Sequence, residues 1–170
     1  MKILFITADG FEDSELLCPM YRLKEAGFQV DIAAPEWGEV KGKHGYSVTA
    51  NLTFQEVEPS NYRLLLIPGG KAPEKMRIIP RVRDIVRSFA ASSTPIAAIC
   101  HGPQVLASAG LLEGRHVTCY RKIAREIQVA GAIYEDKEVV IDNGIITSRE
   151  PGDIPAFMKA IMNALSLKST

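Results

Sequence analysis

The chain has 170 residues, 46% hydrophobic and 24% charged, which suits one compact domain over residues 1–170 and excludes the disordered and membrane classes. Twenty basic and twenty acidic side chains cancel to a formal net charge of +0, so no summed field draws in nucleic acid or an anionic membrane surface. The N-terminal apolar run turns polar by Asp9, and the three cysteines, Cys18, Cys100 and Cys119, show no ligand spacing; secretion, a disulfide framework and a zinc site are all disfavoured, and a reduced cytoplasm is expected.

Residues 2–8 are apolar and β-branched without alternation, the pattern of a strand buried on both faces of a parallel sheet. Leu16, Leu17, Met20 and Leu23 share one helical face, Pro19 is expected to bend that helix, and Gly27 supplies its left-handed stop. With a strand at 30–34 the opening is a βαβ unit. Residues 36–54, punctuated by Gly38, Gly42 and Gly45, read as small hairpins. A third buried strand at 63–67 ends at Pro68-Gly69-Gly70, and Val82, Ile85, Val86 and Phe89 form the next helical stripe.

A short apolar strand at 95–99 runs into Cys100-His101-Gly102-Pro103 and a helix to Ala109, closed by Gly110. Beyond it come a strand at 117–120, a helix at 122–130, and a hairpin of 139–141 with 145–147 around Asp142-Asn143-Gly144. The last helix carries Ile154, Phe157, Ile161 and Leu165, and residues 166–170 are expected to fray. Alternating strands and helices imply an α/β doubly wound, mostly parallel sheet with helices on both faces, whose sites form at the C-terminal ends of strands.

Three strand ends converge under that rule: residues 9–15, Gly69-Gly70 and Cys100-His101. Ala98-Ile99-Cys100-His101-Gly102 has the form of a nucleophile elbow, with small residues two places either side of the reactive atom. A helix N-terminus following Cys100 is expected to favour thiolate over thiol. The bland reading, a small buried core cysteine, suits Cys18 and Cys119 better, because neither has this context. Glu12 and Asp13 read as exposed acids of a first helical turn, His116 as structural, and Lys43 and His44 as loop residues without a direct chemical role.

Ala-Ile-Cys-His-Gly-Pro at 98–103, Pro-Gly-Gly at 68–70, Gly-Phe-Glu-Asp-Ser-Glu at 10–15 and Lys-His-Gly-Tyr at 43–46 occur in one order along nearly the whole chain. In this the chain resembles the PfpI family of intracellular proteases and protein deglycases, within the class I glutamine amidotransferase-like superfamily. The resemblance implies a flavodoxin-like fold, Cys100 as nucleophile, His101 as its partner, and Glu74 as an acid that a neighbouring subunit supplies. It further implies Glu15 as a carboxyl hydrogen-bonded to the cysteine sulfur, the Gly70 and His101 amides as an oxyanion hole, and Tyr120 as a pocket tyrosine. From residue chemistry alone, Glu74 reads as a surface acid and Glu15 equally as an exposed first-turn acid, while the lesser alternative for His101 is a helix N-terminal residue hydrogen-bonded to solvent or backbone. One departure stands out: Arg121-Lys122 follows Tyr120 where close relatives often have Pro-Gly, and this basic loop is expected to bear on substrate preference.

The expected function is a cofactor-free cysteine hydrolase acting on methylglyoxal and its amine adducts, with peptides as a second substrate class. Nucleic acid would enter only as a glycated substrate, and the expected partner is the chain itself, as dimer or hexamer. The alternative is a redox sensor or chaperone with an oxidisable Cys100, in which Glu15 stabilises the sulfinic acid. A glutamine amidotransferase subunit is set aside, because no His-x-Glu follows the nucleophile.

Overall fold

The N-terminal apolar run forms β1, Lys2–Ile6, buried from Ile3 onward. It leads to α1, Asp13–Glu25, which continues through Pro19 and buries Leu16, Met20 and Leu23 as the helical spacing requires. Then follow β2, Gln29–Ala34; the hairpin of β3, Gly38–Lys41, with β4, Ser47–Ala50; and β5, Leu52–Thr53. The central buried run is β6, Tyr62–Ile67, followed by α2, Ala72–Met76, and α3, Pro80–Ala91, whose Val82, Ile85, Val86 and Phe89 are all buried. The structure, a computed structural model, describes residues 1–166.

β7, Ile96–Ile99, is buried at every position and precedes α4, Pro103–Ser108. Next come β8, His116–Val117; α5, Ala124–Val129; β9, Ile133–Tyr134; the hairpin of β10, Val140–Asp142, with β11, Ile145–Ser148; and α6, Ile154–Ser166. Ser166 closes that helix, and the fraying expected beyond it lies outside the described residues.

The main sheet has the order β10-β11-β7-β6-β1-β2-β5, with every neighbouring pair parallel except β10 and β11. From β1 the chain steps outward to β2 through α1, and from β6 it steps to β7 on the other side through α3. Right-handed crossovers in opposite directions put α1, with α6 packed on it, on one face and α3, with α4, on the other. The doubly wound architecture read from the sequence is therefore the one observed, and the strand order reverses beside β1 and β6.

Two local expectations are corrected. The strand expected at 117–120 is only His116–Val117, paired with β9, because Thr118 and Tyr120 turn their amides to other partners. The helix expected at 122–130 begins as a tight three-residue turn, Arg121–Ile123, before α5 proper. No helix among the described residues is long and apolar enough to cross a membrane.

Candidate active site

Strand β7 delivers Cys100 at its C-terminal end, where the backbone takes φ +63°, a left-handed conformation that costs a residue with a Cβ roughly 1 kcal/mol or more. Flanking hydrogen bonds hold the bend: Cys100 N–H donates to Ser148 O (3.0 Å) and Gly102 N–H to Ile99 O (2.8 Å), while Cys100 O accepts from Tyr120 N–H (2.9 Å). A Cβ on Gly102 would lie 2.6 Å from Ile67 O, so the small residue expected there is enforced by backbone from the neighbouring strand.

The other wall is stitched from residues 10–12 and 69–71. Glu12 N–H donates to Gly69 O (3.2 Å) and Lys71 N–H to Gly10 O (2.8 Å). A Cβ on Gly69 would meet Glu15 Oε1 at 2.6 Å and Cys100 Cβ at 2.7 Å, so only glycine lets this turn approach the cysteine. The backbone amides of Gly70 (φ +78°) and His101 both lie near enough to the Cys100 sulfur to favour its ionised form. These are the two amides expected to form the oxyanion hole.

Glu15 is completely buried, and its Oε1 accepts the Gly69 N–H at 2.9 Å. Burial chiefly, and the nearby Glu12 charge, push its pKa up to about 8 against the Gly69 hydrogen bond. The carboxyl also lies close enough to Cys100 for each group to shift the other's ionisation, while its Oε2 is buried without a hydrogen-bond partner among the described residues. Cys100 itself is 8% exposed, and burial first, then the Glu15 charge, drive its thiol up to about 12, although the Gly70 and His101 amides pull the other way. Burial thus works against the expected thiolate, and α4, with only six residues and beginning three positions beyond Cys100, offers little dipole to offset it. His101 Nδ1 lies 3.2 Å from the sulfur, and burial, then the Lys43 charge, lower its pKa. The resting constellation at neutral pH is a thiol, a neutral imidazole and a protonated carboxyl.

Tyr120 packs its ring against the imidazole, centroids 4.9 Å apart at 35°. Around the sulfur opens a cleft of about 450 Å³ lined by Glu12, Lys43, Gly70, Glu74, Gln104 and Tyr120 among others. Glu74 stands exposed on its rim and makes no hydrogen bond or ion pair among the described residues, so it does not aim the imidazole of its own chain. Gln104 lies behind the site, donating from Nε2 to Glu126 (3.0 Å), which also pairs with Arg77. No grouping of three side chains able to hold a metal ion occurs among the described residues.

Residues 1–164 match the family described as DJ-1/PfpI. The chain belongs to that family. It is 47% identical over 165 residues to "Deglycase PfpI" of Pyrococcus furiosus, covering 97% of this chain and 99% of that one. It is 40% identical over 167 residues to "Protein/nucleic acid deglycase 2" of Escherichia coli, covering 96% and 97%. Among solved structures, the DJ-1/ThiJ/PfpI-like part of a two-domain protein from Anabaena variabilis, which also contains a ferritin-like domain, superposes with a TM-score of 0.95 at 38% identity. That match covers 97% of this chain and 48% of the other.

Several sequence readings change in the fold. Asp13 is not an exposed acid: its carboxylate is 5% exposed and accepts the His44 and Tyr46 N–H groups, each at 3.0 Å. Glu12 is buried too, paired with Lys43 at 2.7 Å and 3.4 Å from His44 Nε2. Lys43 therefore lines the cleft. Cys119 is a buried core residue as read, whereas Cys18 is exposed. His116 pairs at the surface with Glu135 (3.3 Å), away from the cleft. The signal that could have placed Asp13 is Gly42, whose Cβ would lie 2.2 Å from the Asp13 carboxylate.

Proposed function

We propose that this protein is a cysteine-dependent deglycase and glyoxalase that converts methylglyoxal and its amine adducts to lactate. The observation that carries the reading is the convergence of the Cys100 sulfur, the His101 imidazole at 3.2 Å and the Gly70 and His101 amides at one open cleft, with the buried Glu15 carboxyl behind the sulfur. The names of the relatives point the same way.

In the proposed sequence Sγ bonds to the aldehyde carbon while His101 Nδ1 accepts the thiol proton, so the thiol need not be ionised beforehand. The carbonyl oxygen takes up charge facing the two amides, which are already in place and need no reorganisation. Methylglyoxal plus water has the composition of lactate, so no oxidant is needed: one hydrogen moves between adjacent carbons, and water then releases the thioester. Once the adduct oxygen has taken the thiol proton back from His101, the neutral imidazole is the base that carries that hydrogen as a proton from the first carbon to the second, while Glu15, already protonated below about pH 8, holds its own proton beside the sulfur. An amine adduct follows the same course and releases the free amine. Glu74 of a neighbouring subunit is proposed to orient His101, in a dimer or higher oligomer of the chain, and the cytoplasm is the proposed compartment. Peptide hydrolysis uses the same nucleophile and is the secondary activity proposed.

A low-pKa redox sensor fits less well, because burial raises the Cys100 thiol instead of lowering it. The test is lactate formation from methylglyoxal by wild-type protein and Cys100→Ala. The variant should retain the wild-type thermal midpoint and lose turnover on the order of a thousandfold or more. Lactate formation that survives the substitution would remove the proposed nucleophile.

A further inference from the structure

Beside the cleft lies a second chamber of about 280 Å³, lined by Tyr120, Arg121, Lys122, Asp136, Arg149 and Glu150. Tyr120 and Glu150 line both cavities, so the two adjoin along a shared wall. The chamber's position relative to the nucleophile is fixed by backbone: Tyr120 N–H donates to Cys100 O at 2.9 Å, and Arg121–Ile123 turns directly from it.

Its charges are not evenly spent. Arg149 is committed, with Nε and Nη2 on the two Asp153 oxygens (2.9 and 3.0 Å) and Nη1 on Asp136 Oδ1 (3.1 Å). Asp136 accordingly gives its nearer contact to Arg149 and holds Arg121 only at 3.6 Å, with the Arg121 side chain 82% exposed. Lys122 is exposed and has no ion pair among the described residues. Two exposed cations thus line the chamber without full neutralisation. Glu150, on the shared wall, carries the opposite sign and disfavours an anion at the junction itself.

We propose that Arg121 and Lys122 form an anion-recognition subsite that selects substrates carrying a phosphate or carboxylate beyond the carbonyl that Cys100 attacks. The proposal rests on the carbonyl chemistry assigned to Cys100 and adds to it a substrate class. The guanidinium offers a planar fork for either anion and the ammonium a point charge, while Tyr120 separates this anion from the reacting carbon. A neutral adduct uses the cleft alone.

Matched substrate pairs test it. The methylglyoxal adducts of GMP and guanosine differ by a phosphate; those of Nα-acetyl-lysine and its amide differ by a carboxylate. Wild-type protein should show kcat/KM about fivefold higher for the charged member of at least one pair, falling toward parity at high salt. The Arg121→Ala/Lys122→Ala double variant should bring that ratio close to one, and which pair responds tells phosphate from carboxylate. A ratio near one in wild-type protein, or a preference that survives the double substitution, overturns the subsite. A readout free of turnover separates this outcome from failure of the deglycase reading: GMP should slow alkylation of Cys100 by iodoacetamide in wild-type protein more than in the double variant. Equal protection within both pairs in wild-type protein, GMP against guanosine and Nα-acetyl-lysine against its amide, also overturns it.

Discussion

At Cys100 the decisive quantity is desolvation. Sulfur, imidazole and the Glu15 carboxyl sit where water is scarce, so each is held in its neutral form and charge appears only as a substrate carbonyl is attacked. Glu15 gives the measurable consequence. Folded, it keeps its proton up to about pH 8; unfolded, it loses it near the ordinary value of 4.5. Its contribution to stability is therefore complete below about pH 4.5 and declines as pH rises toward 8, at about 1.4 kcal/mol per unit. Glu15→Gln keeps the acceptor for Gly69 N–H and removes the titration. The thermal midpoint of the variant should fall less than that of wild type between pH 5 and 8, and should exceed it above 8. Parallel curves would mean that Glu15 ionises normally. The elbow was legible in the sequence because Ala98 and Gly102 report backbone crowding locally. The protonation state was not, because desolvation depends on Gly69 and Glu15, which the fold brings in from far along the chain.

The loop between β3 and β4 is ordered by a residue of another element. Asp13, on the first turn of α1, holds His44 and Tyr46 by their amides, while Lys43 N–H donates to Phe11 O (2.9 Å) and Gly42 leaves room for the carboxylate. Lys43 and Glu12 owe their places in the cleft to this clamp. Asp13→Ala removes two charge-assisted hydrogen bonds and should cost about 3 kcal/mol. Denaturant midpoints measure the loss, and limited proteolysis should find new cleavage within residues 42–46; an unchanged midpoint with no new cleavage would show that the loop holds itself. Helices and strands with continuous apolar patterns, such as α3 and β6, were readable in advance because local burial decides them. The strand expected at 117–120 stops at Val117 because tertiary bonds, such as Thr118 N–H to Thr147 Oγ1 (2.9 Å), overrule local propensity.

At the scale of the whole molecule, the open question is what completes the site. Glu74 is exposed at the cleft and makes no hydrogen bond to the His101 of its own chain, whereas Glu126, the other carboxylate felt by that imidazole, is engaged with Arg77 and Gln104. If a second copy supplies Glu74, dilution to monomer and Glu74→Ala should each lower turnover, on the order of a hundredfold, with the thermal midpoint of the variant nearly unchanged. Full activity in a monomer verified by sedimentation would dismiss the shared site. The sheet constrains how such copies can meet. Its margins are β5, two residues long, and β10, three residues long and antiparallel to its neighbour. Neither offers enough free backbone for another molecule to extend the sheet. Any association between copies would then fall to surfaces outside the main sheet's margins, and where such surfaces frame the entrance to Cys100 the side chains that govern assembly would also govern access.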